Sequence, residues 1–463
     1  MEERFEYVKL KNFKSYSDIT FDLTNKKNEI KKLAIIFGPN GYGKSNLASA
    51  FYMLQESLNT LNAKEIMESI LNSNDLIDRL PSEEIVNLLK KNLKDIEILI
   101  KTYKMADSTE PMCLEFGFSI DGKHGMYLLE IGDEEIIHER LEFVINKNKG
   151  IYFDLTPDNI QISNYIFDEN YIIKRFKEVC EEYWGKHSFL AILLHEMNNK
   201  SKKFVNTNFK FSDNFMLFFK FIHSYSCHIR IATNNNDSFL SINDKSEKYL
   251  TLGSSGSIEK EDEDSLNKME KVLNLICNSI FDDIESVFYE RTKKKDQIRY
   301  KLVVNKNIDN KIRKIDFENE STGIKFLFDL IPYIVLSLKG YPIILDEFDM
   351  GLHDMLSYNL LNMIVSATDG QLIVTSHNTL LMETNNTYNN ENYISKENIY
   401  IIYKNDDGLK DIKCVDEFGK KIAQSTNIRN QYFNNTYDIF LEEDTSISSD
   451  FITKLKEIVI PIE

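Results

Sequence analysis

Residues Lys32 to Asn46 read Lys-Leu-Ala-Ile-Ile-Phe-Gly-Pro-Asn-Gly-Tyr-Gly-Lys-Ser-Asn. An apolar, β-branched run ends in Gly-x-x-x-x-Gly-Lys-Ser, and Asn46 to Leu54 continues as a helix-forming stretch, so the order is strand, phosphate loop, helix. Gly38, Gly41 and Gly43 let successive backbone N–H groups turn inward at a helix N-terminus whose dipole favours negative charge. Lys44 supplies positive charge and Ser45 can ligate Mg²⁺, while Asn40 and Asn46 sit within the same run of expected nucleotide contacts. The competing account is a structural turn with an incidental lysine. Filled motif positions with a strand before and a helix after favour nucleotide binding.

The chain has 463 residues, enough for a large α/β core with an inserted or appended subdomain. Hydrophobic residues make up 42% and charged residues 28%, the balance of a globular rather than a disordered chain. A formal charge of −17 argues against a general electrostatic grip on nucleic acid and leaves only a local basic patch for such contact. Cys113, Cys180, Cys227, Cys277 and Cys414 are scattered and odd in number, without a Cys-x-x-Cys pair, so neither a disulfide framework nor a zinc site is expected. The N-terminus is acidic and has no apolar core of a signal peptide, and the longest apolar stretch, Phe326 to Leu338, is too short to span a bilayer. A cytoplasmic protein without a membrane partner is the expectation.

Before the phosphate loop, Phe5–Leu10 and Ile19–Leu23 pattern as two antiparallel strands. Asn46 to about Tyr103 reads as helical, with Ile85, Leu89, Leu93, Ile96 and Ile100 at three- and four-residue spacing. Cys113–Ile120 and Met126–Ile131 form a hairpin pattern around Asp121-Gly122. Tyr165 to His228 reads as a helical insertion rich in aromatic residues. Leu252–Ser257 followed by Glu259–Asp264 reads as a linker, and Leu266–Phe288 as a helix. Three parts follow: 1–160, an N-terminal lobe with the phosphate loop and antiparallel strands; 161–250, the helical insertion; and 251–463, a C-terminal lobe.

Pro342-Ile343-Ile344-Leu345-Asp346-Glu347 is an apolar strand ending in two carboxylates, the form of a buried parallel strand presenting its C-terminal end to a ligand. Paired with a phosphate loop, this is a Walker B pattern: Asp346 would hold Mg²⁺ and Glu347 would orient and deprotonate the attacking water. Gln371 to His377 is a further buried strand, ending in a histidine. Glu320-Ser321-Thr322-Gly323-Ile324-Lys325 opens an apolar helix just before Walker B, and Ser321 and Gly323 at its N-terminus form either a second anion site or a plain helix cap. Asp349-Met350-Gly351-Leu352-His353 follows Walker B; His353 is either a residue reaching across a dimer interface or a helix cap. Arg291-Thr292-Lys293-Lys294-Lys295, with Arg299, Lys301, Lys311, Arg313 and Lys314, is a basic segment that reads as a solvated face of two alternating strands more readily than as a DNA groove.

These residues together resemble the bacterial AAA/ABC-type ATPases of the abortive-infection (RloA/AbiL-like) kind, related to RecF, SMC and OLD heads. The resemblance lies in Leu10–Tyr16, Gly38–Asn46, Glu320–Lys325, Leu345–His353 and Thr375–Asn378, and the 301 residues separating Ser45 from Asp346 suit heads that tolerate large insertions. It implies an α/β fold: an ABC-type P-loop ATPase head with a mixed sheet, an antiparallel β subdomain and a helical insertion. It implies ATP and Mg²⁺ as cofactors, a switch role for His377 at the γ-phosphate, and a signature role for Ser321 and Gly323 that closes over ATP held by another subunit. The partners implied are a second copy in an ATP-sandwiched dimer and an effector protein such as a nuclease, in an antiphage defence system. A RecF/SMC-like DNA-repair or DNA-binding ATPase is the alternative, with nucleic acid as partner, and a non-hydrolysing scaffold is a third. The chain departs from the family at Ile324, where Thr is frequent, and it ends at Glu463, too soon after the switch strand for the Toprim nuclease domain of OLD proteins.

Overall fold

The computed structural model describes residues 2–71, 95–169, 171–198, 209–230, 236–240, 242, 245–294, 297–383, 393–418 and 427–434. Residues 33–37, 343–345, 372–375 and 399–402 are apolar or β-branched throughout and buried in every position, the pattern of strands covered on both faces. They are β3 (Leu33–Phe37), β15 (Ile343–Leu345), β16 (Leu372–Thr375) and most of β17 (Ile399–Lys404). With β9 (Ser226–Arg230) they form the parallel centre of a seven-stranded mixed sheet in the order β10-β9-β15-β16-β3-β17-β18, closed by antiparallel β10 (Asn236–Phe239) and β18 (Lys410–Cys414). The register pairs Ile343 with Leu372, Leu372 with Leu33 and Ile35 with Ile399, so β3, β15 and β16 end at one edge, where ligands of such sheets bind.

Alternate residues of these strands feed two cores. Ala34, Ile36, Ile344 and Ile373 face one side, where they join helix α1 (Lys44–Leu71) and a second sheet. That sheet is antiparallel throughout, in the order β2-β1-β4-β5-β6-β7-β8: β1 (Glu3–Phe13), β2 (Tyr16–Asp22), β4 (Met112–Ile120), β5 (Lys123–Ile131), β6 (Ile136–Ile145), β7 (Asn148–Thr156) and β8 (Asn159–Ile162). Asp121 (φ 48°) and Gly122 (φ 74°) make the two-residue turn between β4 and β5, with the left-handed backbone such a hairpin requires. Gln371 ties the two sheets: its amide accepts from the Phe5 N–H (2.9 Å) and donates to the Phe5 carbonyl (2.9 Å).

Leu33, Ile35, Phe37, Leu345 and Val374 face the other core, against α7 (Thr322–Leu338) and α8 (Asp354–Ala367). Helix α7 turns Ile324, Phe328 and Ile331 to a third core under a small antiparallel sheet of β11 (Ser255–Glu259), β13 (Gln297–Ile308), β12 (Ile284–Lys294) and β14 (Lys311–Asp316). The fold is thus α/β, with one mixed sheet and two antiparallel ones. Among the described residues no helix is long and apolar enough to cross a membrane, and four of the five cysteines, all free, are buried.

Several local expectations need correction. The stretch read as a linker holds strand β11, a 3-10 turn (Lys260–Asp262) and the start of α6 (Glu263–Ile280), and the helix read over 266–288 is α6 followed by β12: from Ile284 on, the residues pair with β13, and tertiary pairing overrides helical spacing. The stretch 165–228 holds helices α3 (Tyr171–Tyr183), α4 (Phe189–Asn198) and α5 (Asp213–Ser224), but it ends in β9, and β9 and β10 belong to the central sheet. Those helices share the core of the antiparallel sheet. Of the helical run to Tyr103, α1 and α2 (Ile96–Tyr103) are seen; Ile85, Leu89 and Leu93 lie outside the described residues.

Candidate nucleotide site

The loop from Gly38 to Gly43 leaves the end of β3 and enters α1 at Lys44. Gly41 (φ 79°) and Gly43 (φ 110°) carry left-handed backbone, and a Cβ on Gly43 would lie 2.7 Å from the Tyr16 hydroxyl oxygen. Tyr16 Oη instead donates to the Gly43 carbonyl (2.7 Å), and Asn46 Nδ2 donates to Ser15 Oγ (2.7 Å). The turn between β1 and β2 therefore buttresses the loop from behind. Lys44 is 6% exposed, and its ammonium donates to the carbonyls of Gly38 (2.7 Å) and Pro39 (3.3 Å). Burial brings its pKa down to about 8, against the pull of Asp346, Glu347 and Asp349. A phosphate would offer this buried cation the counter-charge that loop carbonyls do not. Asn40 and Gly41 are exposed at the tip.

Asp346 stands at the end of β15, 1% exposed. Its Oδ1 accepts from Thr375 Oγ1 (2.5 Å), whereas Oδ2 is buried without a hydrogen bond of ordinary geometry. Burial raises its pKa and the Glu347 charge adds to the rise, against the hydroxyls of Thr375 and Ser45 and the charge of Lys44. The carboxylate thus has Ser45 beside it and one oxygen open, which fits the expected cation. Among the described residues no three His, Cys, Asp or Glu side chains converge as a metal cage. Mg²⁺ is commonly held by one or two protein oxygens plus substrate phosphates, so Ser45 and Asp346 are sufficient protein ligands.

Glu347 follows with φ 50°, a left-handed backbone unusual for a residue with a side chain, held by its N–H donating to Thr375 Oγ1 (2.8 Å). Thr375 therefore receives from the Glu347 backbone and donates to the Asp346 carboxylate. His377 lies two residues beyond Thr375, its N–H donating to the Asp349 carboxylate (3.1 and 3.2 Å). Its imidazole pKa is lowered by partial burial and by Lys44. Lys44, Ser45, Asp346, Glu347 and His377, from both ends of the chain, are thereby gathered at one sheet edge.

Ser321 and Gly323 stand at the start of α7, and among the described residues no hydrogen bond joins either to the phosphate loop. Ser321 is exposed and caps α7, accepting from Ile324 N–H (3.4 Å). Gly323 packs on the turn after Walker B, where a Cβ would come within 2.5 Å of the Gly351 carbonyl oxygen. His353 caps α8, its Nδ1 accepting from Met355 N–H (3.3 Å), which is the capping alternative. Thr375, Asp349, Ser15 and Tyr16 lie in stretches named from the sequence, but motif spacing gives none of them an individual role. A polar Thr at the end of an otherwise apolar buried strand was the available signal for the first.

The basic segment forms β12–β14, and four of its cations stand in ion pairs. Arg291 pairs with Glu263 and Glu270, Lys293 with Glu263, Lys301 with Asp316, and Lys314 with Glu290. Lys295 lies outside the described residues.

Among solved structures, the chain is similar to the SMC head domain from Thermotoga maritima (12% identity, TM-score 0.36, covering 89% of this chain and 98% of that one). It is also similar to the Smc head domain with an extended coiled coil bound to the C-terminal domain of ScpA, from Pyrococcus furiosus (13%, 0.39, 89% and 96%). A third is the recombination mediator protein RecF-ATPrS in the RecFOR pathway (10%, 0.35, 89% and 98%). Comparison with curated proteins gives no match. Residues 33–383 match the family model described as "AAA domain, putative AbiEii toxin, Type IV TA system". That span runs from the first residue of β3, through the phosphate loop and β15, to just beyond His377, and the chain belongs to this AAA-domain ATPase family.

Proposed function

We propose that this protein binds ATP with Mg²⁺ and hydrolyses it to ADP and phosphate. The observation that carries the reading is the convergence of Lys44 and Ser45 with Asp346, Glu347 and Thr375 at one sheet edge, although 301 residues separate Ser45 from Asp346. The Gly38–Asn46 run, Asn40 included, surrounds the phosphates with backbone N–H groups, and Lys44 exchanges its loop carbonyls for β- and γ-phosphate oxygens. Ser45 and Asp346 would hold Mg²⁺, which would supply charge neutralisation at the phosphate oxygens. Glu347, fixed by its left-handed backbone, orients and deprotonates the attacking water, and His377 contacts the γ-phosphate.

Ser321 and Gly323 complete the site of a second copy, in keeping with the exposed position of Ser321 at the start of α7. Helix N-termini bind anions, and a dimer sandwiching two nucleotides gives this one its ligand. The family description, with its toxin–antitoxin name, is compatible with a place in bacterial antiphage defence, and the role proposed there is a sensor or motor acting on a separate effector such as a nuclease. The DNA-binding alternative loses support from the ion pairs that occupy the basic strands.

Phosphate release by Glu347→Gln tests the chemistry: a fall of about 10²–10⁴-fold with ATP binding retained is expected. Equal, slow turnover by wild type and variant would sink the enzyme reading and leave a scaffold. Ser321→Arg should leave ATP binding intact while blocking ATP-dependent dimerisation, read by light scattering, and turnover with it.

A further inference from the structure

Strand β17 flanks β3 on the side opposite β16 and β15. Its Ile401 pairs with Phe37, the last residue of β3, so the strand runs three residues further, alongside the phosphate loop. Contact there is close: a Cβ on Gly38 would meet the Ile402 carbonyl oxygen at 3.1 Å. Where the hairpin passes the loop, Lys404 and Lys410 stand directly opposite each other in the antiparallel register. Like charges so placed weaken a strand pair.

Both side chains reach the loop. Lys410 Nζ donates to the Gly41 carbonyl (3.0 Å), and Lys404 Nζ lies 5.2 Å from the centre of the Tyr42 ring. Among the described residues Lys410 forms no ion pair; the adjacent carboxylate of Asp411 accepts from the Tyr403 hydroxyl (2.9 Å). Burial, and then the charge of Lys404, lower the pKa of Lys410. With Lys44 on the Gly38 and Pro39 carbonyls, three ammonium groups surround one short loop in a chain of net charge −17. A bound polyanion favours such a cluster.

We propose that Lys404 and Lys410 are a second cationic grip on the nucleotide phosphates, acting from the β17–β18 hairpin on the outer wall of the loop and favouring triphosphate over diphosphate. This rests on the nucleotide-binding reading above. The loop backbone shapes itself to the phosphates; the two lysines act through charge, so arginine can replace them and methionine cannot.

The test is calorimetric titration of the full chain with MgATP and MgADP, alongside thermal unfolding without nucleotide. For K404M/K410M the MgATP Kd should rise about tenfold, the scale of two partly solvated charges lost near a polyphosphate, and the MgADP Kd by less. K404R/K410R should stay within about threefold of wild type, since charge is kept. The nucleotide-free Tm of K404M/K410M should equal or exceed that of wild type, because opposed like charges are removed; a packing role would lower it. An unchanged MgATP Kd in K404M/K410M, or equal losses of affinity and Tm in the methionine and arginine pairs, overturns the proposal. If wild type binds MgATP and Lys44→Ala does not, that failure belongs to the lysine pair alone; absence of MgATP binding by wild type overturns the nucleotide reading as well.

Discussion

Asp346 and Glu139 are both sealed inside the protein, at 1% and 0% exposure, and burial pushes both carboxyl pKa values up. Their surroundings differ. Glu139, on β6, accepts from the Tyr127 hydroxyl (2.9 Å), Trp184 Nε1 (2.9 Å) and the N–H groups of Phe189 (2.7 Å) and Leu190 (3.4 Å), so both oxygens are used and the sheet is joined to the start of α4. Asp346 uses one oxygen, on Thr375, and leaves the other open beside Ser45 and Lys44. A buried acid whose lone pairs are filled by its own fold serves architecture; one left half-filled at a sheet edge is poised for something that arrives later.

Substitutions can break or sharpen this contrast. Asp346→Asn should lower phosphate release at least a thousandfold, roughly 4 kcal/mol of transition-state stabilisation, without lowering Tm, because it removes a desolvated charge. A large Tm loss would make Asp346 another Glu139. Glu139→Ala should destabilise the fold by about 3 kcal/mol in urea unfolding, since buried Trp, Tyr and backbone donors lose their acceptor, while nucleotide affinity of the folded protein stays put.

The same residue predicts a pH dependence. The Glu139 carboxyl is raised to about 7 from an ordinary value of 4.5, so the folded state holds the proton more tightly than the unfolded chain does. Its contribution is fully present below pH 4.5 and is lost as pH rises to 7. Relative to Glu139→Gln, wild type should therefore lose about 3 kcal/mol of stability across that window, read by unfolding curves at each pH. A constant gap between the two proteins would refute the buried titration. Smaller still, Thr375→Val should cut turnover about tenfold by releasing both the Asp346 carboxylate and the Glu347 N–H, with Thr375→Ser restoring it; no recovery with Ser would assign Thr375 to packing.

Of the mixed sheet, β3, β15 and β16 were legible because they are short apolar runs closed by motif residues, where local pattern and tertiary role agree; β9, β10, β17 and β18 carry no such motif. The small sheet was not. Ile284–Phe288 carries spacing compatible with a helix, and only pairing with β13 decides for a strand. In the site, Lys44, Ser45, Asp346 and Glu347 could be named from spacing, but Thr375 acquires its meaning only when β16 lies beside β15. The contact of Tyr16 with Gly43 likewise depends on how two sheets stack, which no local pattern encodes.

Gly323 and Gly351 touch backbone to backbone, with no space for a methyl group between the cap of α7 and the turn following Glu347. Rigid neighbours of this kind have few ways to move separately. In the proposed dimer, each cap faces the nucleotide of the other subunit while leaning on the water-activating segment of its own. The two pockets would then be thermodynamically linked, and occupancy of one would set the affinity of the other by the same factor in both directions. Cooperative ATP binding with a Hill coefficient above one would follow from a missing side chain at position 323.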